Sequence, residues 1–270
     1  MARPLGKAMT TAANGNWIEL QGAVNARDVG GLPADGGARV RSGALIRSAS
    51  LQHLTEADVA HLVGDLGVRR VVDLRTDVEV ARQPPGPMHA QADVVVHHLS
   101  LYPDVADHAE VPPGSTPVLA WQGERFATEH GPVVGSYLRY LEQRPDSVVA
   151  ALRAIAEPDG ATLVHCAAGK DRTGVVVALA LTVAGVPRDA IAADYAHTES
   201  QIEAIVAHLA RSDLYHREVN RPDQIPPASA EVMISVLDAI DAEHGGVLSW
   251  LAEHGWTELD TSRLRRKLLS

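Results

Sequence analysis

The sequence predicts an α/β fold, a central and mostly parallel sheet flanked by helices. Two observations carry that expectation. Short β-branched apolar runs recur at Val68–Leu74, Asp93–Leu99 and Ala161–His165; each reads as a strand, the first and last as buried ones. Between and after them lie longer segments with apolar residues at helical spacing, so strands and helices alternate.

Taken in order, residues 1–16 show no periodicity and are expected to be a disordered leader, with residues 17–270 a single domain. From Ile18 to Ser48 short extended pieces are broken by Gly30-Gly31 and Asp35-Gly36-Gly37, with a strand at Ala44–Arg47. Thr55 reads as an N-cap with Asp58 three residues on, opening a helix through Val59, Leu62, Val63 and Leu66 that Gly67 ends. A helix over 76–82 closes at Pro84 and Pro85. Residues 102–131 carry Pro103, Pro112, Pro113 and Pro117 and no clear period, the mark of a long functional or disordered loop. Helices are expected at 132–143, 145–156 and about 173–184. Thr198-Glu199-Ser200-Gln201 has capping-box spacing ahead of Ile202, Ile205, Val206 and Leu209. Further helices run through Val232–Ile240 and from near Asp260 to the basic Arg265-Arg266-Lys267.

Composition excludes several classes. No apolar run approaches the roughly 20 residues of a membrane span, so integral membrane association is not expected. A net charge of −10 argues against a general nucleic-acid binder. One Cys in 270 residues permits neither an internal disulfide nor a Cys-rich zinc site. No His pair has the HExxH spacing, and no metal or other cofactor is expected. The default location is cytoplasmic, and the sequence does not specify an oligomeric state.

The chemistry concentrates at Val164-His165-Cys166-Ala167-Ala168-Gly169-Lys170-Asp171-Arg172-Thr173-Gly174. The single Cys follows a strand and precedes a helix, so the amides of 167–172 can converge on an anion at a helix N-terminus. Arg172, six residues after Cys166, can return to hold two oxygens of a phosphate bidentately. These surroundings favour a Cys166 thiolate, a nucleophile aimed at phosphorus. Thr173 is placed to donate to the sulfur, and His165 to fix the loop rather than to act as a base. The alternative of an inert buried thiol leaves the remaining residues of the pattern unexplained.

HCAAGKDRTG has the HCxxGxxRTG form of the cysteine-dependent protein tyrosine phosphatase superfamily, and its GKDR centre resembles a bacterial branch with mycobacterial members. The likeness extends to Asn25-Ala26-Arg27-Asp28 with Gly30-Gly31, to Arg47-Ser48, to Asp73-Leu74-Arg75 with Glu79, and to the C-terminal helices. The resemblance implies one phosphatase domain whose additional C-terminal helices form a lid. It also implies that export without a conventional leader is compatible with the fold.

A leaving oxygen needs a proton donor. Asp104, opening the long loop, is the preferred general acid, and Asp171, inside the phosphate loop, is the second candidate. Asp107 is a weaker third. Lys170 reads either as a second positive charge at the loop rim, which would suit a phosphoinositide, or as a partner of Asp171. Arg75 is expected to tie loops together through Asp28 or Asp73, with a role beside a second substrate phosphate as the alternative. The expected activity is phosphomonoester hydrolysis through phosphocysteine, on phosphotyrosine protein and also on phosphoserine/threonine or phosphoinositides. The rivals are a phosphoinositide-directed phosphatase, a phospho-recognition module with little catalysis, and a thiol redox enzyme, against which the missing resolving Cys counts.

Overall fold

The computed structural model describes residues 16–103, 130–215, 219–220 and 225–270. Six strands form one sheet: β1 (Asn16–Trp17), β2 (Arg27–Asp28), β3 (Leu45–Ser48), β4 (Val68–Asp73), β5 (Val95–His98) and β6 (Ala161–His165). Their order is β1-β2-β3-β6-β4-β5. The β1, β2 and β3 neighbours pair antiparallel, whereas β3, β6, β4 and β5 run parallel, as expected for a mostly parallel sheet.

Strand alternation divides the core. Leu45, Val72 and Val164 point to one face and Ile46, Val71 and Leu163 to the other. The first face is covered by α3 (Pro132–Gln143), α4 (Pro145–Ile155), α5 (Asp171–Val183) and α6 (Arg188–Ala196), and by α8 (Ala230–His244), α9 (Val247–Glu253) and α10 (Glu258–Leu268). The second carries α1 (Glu56–Ala60), which runs into a wider turn over His61–Asp65. Helix α5 is apolar nearly all round and only Thr182 escapes full burial, as befits a helix at the centre of the domain.

Sequence and structure part at several boundaries. Asn16, assigned to the leader, pairs with Asp28 in β1, while residues 1–15 lie outside the described residues. Thr198 is not an N-cap: residues His197–Gln201 form a tight 3-10 turn, and the Thr198 hydroxyl accepts from Arg27 Nη2 at 3.1 Å. A capping-box spacing cannot express a cap when a buried guanidinium takes the hydroxyl first. Helix α7 therefore starts later, at Ile202, and runs to Leu209. The last helix is capped by Thr257 with Asp260, three residues before the expected start. Helix α5 begins at Asp171 rather than Thr173, because the loop after Cys166 runs straight into its first turn. Among the described residues, no helix is long and apolar enough to cross a membrane.

Candidate active site

The loops after β3, β4 and β6 leave the carboxyl ends of adjacent parallel strands, where open α/β sheets bind ligands. Cys166 follows β6 directly and is buried. Its neighbours' carbonyls are all held by the scaffold. His165 Nδ1 lies 3.2 Å from Cys166 O, and the Ser50 amide donates to Ala167 O at 3.0 Å. Asn25 Nδ2 donates to Ala168 O and Gly169 O, each at 3.1 Å, and Arg47 Nη2 donates to Gly169 O at 3.0 Å. In a trans peptide the C=O of one residue and the N–H of the next point in opposite directions. Carbonyls anchored outward at Cys166, Ala167, Ala168 and Gly169 therefore turn the N–H groups of Ala167, Ala168, Gly169 and Lys170 inward, forming an anion cup. Gly169 is required at the bend: its φ is +67°, and a Cβ there would sit 2.4 Å from Ser48 O.

The scaffold is itself pinned by a buried carboxylate. Asp194 on α6 binds Arg27 Nε at 3.0 Å and Arg47 Nη1 at 2.6 Å, and Arg27 Nη1 donates to Asn25 Oδ1 at 2.6 Å. Asn25 takes the left-handed conformation, φ +54°, the only non-glycine to do so among the described residues. Burial works to raise the Asp194 pKa, but Arg27 and Arg47 outweigh it and bring it down to about 2.

Arg172 is 3% exposed and Glu79, on α2 (Asp77–Ala81), is fully buried beside it. The guanidinium meets Glu79 end-on, Nη1 to Oε2 at 2.6 Å and Nη2 to Oε1 at 3.2 Å, and Nη1 also donates to Leu74 O at 3.3 Å. A guanidinium carries five N–H donors. These bonds use three of them, leaving Nε–H and the outer Nη2–H. That pair forms the side-on fork, spaced for two oxygens of one phosphate. Burial would lower the Arg172 pKa, but Glu79 and Cys166 hold it well above the ordinary guanidinium value. Glu79 in turn accepts from Tyr215 Oη at 2.7 Å and, through its capping box, from Thr76 N at 2.7 Å.

The remaining expected residues take defined places. Asp171 Oδ1 accepts from Lys170 Nζ at 2.9 Å and from Tyr137 Oη, whose oxygen lies 2.8 Å from Tyr195 Oη. Lys170 is only 1% exposed, so it is not a solvated charge at the rim: its ammonium is drawn inward by Asp171. Arg75 binds Asp73 through Nε and Nη2 and reaches Gln83 Oε1 at 2.6 Å, the loop-tying role, with Asp73 rather than Asp28 as partner. Asp28 instead accepts from the amides of Gly30 and Gly43. Thr173 Oγ1 is buried with no hydrogen-bond partner among the described residues, so no bond joins it to the sulfur here. Asp104 and Asp107 lie outside the described residues. Among the described residues, no group of three metal-binding side chains comes together.

The family model for the tyrosine phosphatase family matches residues 18–270. The chain belongs to that family. It is 31% identical to the triple specificity protein phosphatase PtpB of Mycobacterium tuberculosis, over 93% of this chain and 98% of the relative. It is 34% identical to a putative tyrosine-protein phosphatase of Cupriavidus necator, over 91% and 86% of the two chains, and 28% identical to a tyrosine-protein phosphatase of Nostoc commune, over 87% and 78%. The chain is thus an enzyme of the cysteine-dependent phosphatase type.

In this tyrosine phosphatase the described residues packed over the loop come from α7 and the turn after it. Helices α8, α9 and α10 join the main core, whereas Ala167 and Ala168 pack against Ile205, Leu209, Leu214 and Tyr215, from α7 and the turn after it. Glu79 as the partner of Arg172, and Tyr215 as the partner of Glu79, were invisible in the sequence. Glu79 stood out only through its place in the Asp73-Leu74-Arg75 pattern, and Tyr215 carried no signal at all.

Proposed function

We propose that this protein hydrolyses phosphomonoesters on proteins, phosphotyrosine first among them, through a phosphocysteine formed on Cys166. The observation that carries the reading is the pairing of the inward amides of 167–170 with the side-on fork of Arg172, which Glu79 frees by occupying the other edge. A phosphate dianion seated there has its equatorial oxygens bound by amides and guanidinium, the arrangement that stabilises charge in phosphoryl transfer. The Cys166 sulfur attacks phosphorus as the P–O bond to the leaving group breaks. Water then attacks the phosphocysteine, releasing the sulfur and inorganic phosphate. The name of the mycobacterial relative, triple specificity, supports extending the substrates to phosphoserine/threonine and to a third phosphoester class.

Asp104 or Asp171 protonates the leaving oxygen, and the same carboxylate then takes a proton from the attacking water. Poor leaving groups need that proton more than good ones. The acid is the residue whose Asn variant loses more rate on phenyl phosphate than on p-nitrophenyl phosphate. For the nucleophile, Cys166→Ser should retain phosphoester binding and lose turnover in the presence of EDTA, with circular dichroism confirming the fold. Turnover by a folded Cys166→Ser protein would refute the assignment.

A further inference from the structure

A second concentration of positive charge lies at the opposite end of β6. A cleft of about 740 Å³ is lined by Arg41, Arg153, Arg263, Arg266 and Lys267 against only Glu157 and Asp260, with Ala156 and Pro158 completing its wall. Five basic residues against two acidic ones leave a local excess of three positive charges, in a chain whose net charge is −10. One acid is already engaged: Arg153 Nη2 binds Asp260 Oδ2 at 3.1 Å. Arg41 Nη2 meets only carbonyls, Leu269 O at 2.7 Å and Arg266 O at 3.4 Å. Arg263 and Arg266 are exposed and form no ion pair among the described residues.

Lys267 is buried, 6% exposed, with its ammonium donating to Gly160 O and to Pro158 O, the turn that opens β6. Burial pulls its pKa down to about 8, helped by Arg70 and Arg41 and opposed by Asp159 and Glu157. The charged groups around it thus come from β4, from the segment before β3, from the α4–β6 turn and, as Arg263 and Arg266, from its own helix. With Arg153 included, these cations outnumber the anions Glu157, Asp159 and Asp260.

We infer that this cleft is a binding site for a small polyphosphate, a ligand with two or more linked phosphate groups. The volume exceeds a single phosphate and falls within the range of ordinary ligand pockets, roughly 300–1,000 Å³. The lining offers guanidinium forks, suited to phosphate oxygens, and no aromatic surface for a ring. The site is separate from the phosphate loop: the five residues of β6 stand between Gly160 and Cys166, roughly 16 Å of extended chain.

Calorimetric titration of the full chain with inorganic pyrophosphate at low salt tests the assignment. Two classes of site are expected, of which vanadate removes the one at the phosphate loop. An Arg263→Gln/Arg266→Gln variant should weaken the other at least tenfold while leaving hydrolysis of p-nitrophenyl phosphate unchanged. Inorganic phosphate and citrate should bind the vanadate-resistant class at least tenfold more weakly than pyrophosphate. A single vanadate-sensitive class, a second class indifferent to the two Arg replacements, or citrate binding as tightly as pyrophosphate would each overturn the proposal. If vanadate removes neither class while the Arg replacements still remove one, the cleft stands and the reading of the phosphate loop fails.

Discussion

Replacing Glu79 by Gln isolates what holds Arg172. Glu79 accepts from four donors, Arg172 Nη1 and Nη2, Tyr215 Oη and Thr76 N. Glutamine keeps the shape but has one oxygen for acceptance and an NH2 that only donates, so at least one of those donors must face another donor. The larger effect is electrostatic. Arg172, 3% exposed, loses its only acidic partner among the described residues, and removing one member of a buried ion pair costs about 3–5 kcal/mol. At roughly 2–4 °C per kcal/mol for a domain of this size, the melting temperature should fall by about 6–20 °C. With its end-on anchor gone, the side-on fork shifts, and a misplacement on the order of 1 Å costs about 10²-fold in kcat/KM. An oxyanion in the cup would then supply the missing countercharge. Vanadate should raise the melting temperature of Glu79→Gln by more than it raises that of the wild type, because the wild-type guanidinium is already neutralised. Differential scanning calorimetry with and without vanadate, beside steady-state kinetics, reads all three effects. A variant with wild-type melting temperature and kcat/KM, or with no added vanadate stabilisation, would refute the account of Arg172.

Other perturbations follow from the same contacts. Asp194→Asn leaves Arg27 and Arg47 buried without their countercharge and should cost about 3–5 kcal/mol in a denaturant titration, with loss of activity because both arginines steady the loop. The Asp194 pKa is depressed to about 2 in the folded chain, so its contribution is complete above the unfolded carboxyl value near 4 and is lost as pH falls from about 4 towards 2. Melting curves across that window should slope less steeply in Asp194→Asn than in the wild type. Gly169→Ala should cut kcat/KM more than tenfold, since a left-handed alanine costs about 1–2 kcal/mol before its Cβ meets the fixed Ser48 carbonyl. Tyr137→Phe removes a donor from Asp171 and should destabilise the chain by about 1–3 kcal/mol. If Asp171 carries the proton, the pH–rate profile of Tyr137→Phe should move as well, whereas a purely structural bond would leave it in place.

Local signals were readable wherever a residue's partner lies a few positions away. The Thr55–Asp58 capping box, the buried strand Val68–Asp73, the two Pro-started helices α3 and α4 and the strand-to-helix passage through Cys166 all appear where the sequence places them. Legibility failed where a distant group takes over. The hydroxyl of Thr198 had the spacing of a cap and serves Arg27, 171 positions away. Lys170 read either as a rim charge or as a partner of Asp171, and only the folded loop, which turns its side chain inward against Asp171, decides between them. Glu79 and Tyr215, 93 and 136 positions from the groups they bind, leave no periodic or spacing signature.

The same distances bear on why the ten-residue motif alone does not make the site. A loop rich in Ala and Gly has little side-chain packing of its own, and free in solution its carbonyls would point as readily inward as outward. Here each carbonyl from Cys166 to Gly169 has a partner, three of them reached from Asn25, Arg47 and Ser50, more than 110 positions earlier. Those partners come from the segment before β2, from β3 and from the turn after it, and Asp194 is the countercharge that two buried arginines share there. The amides face into the cup because the carbonyls are taken. A conservative change at Asn25 should therefore injure phosphate binding through the orientation of peptide units it never exposes to substrate. Asn25→Asp supplies that case: it keeps the size but loses the donor that holds Ala168 O and Gly169 O, and places a carboxylate beside loop carbonyls. It should raise KM and weaken vanadate inhibition while leaving the leaving-group dependence of kcat unchanged. An Asn25→Asp enzyme that binds vanadate as the wild type does would show that the cup holds its shape without these anchors.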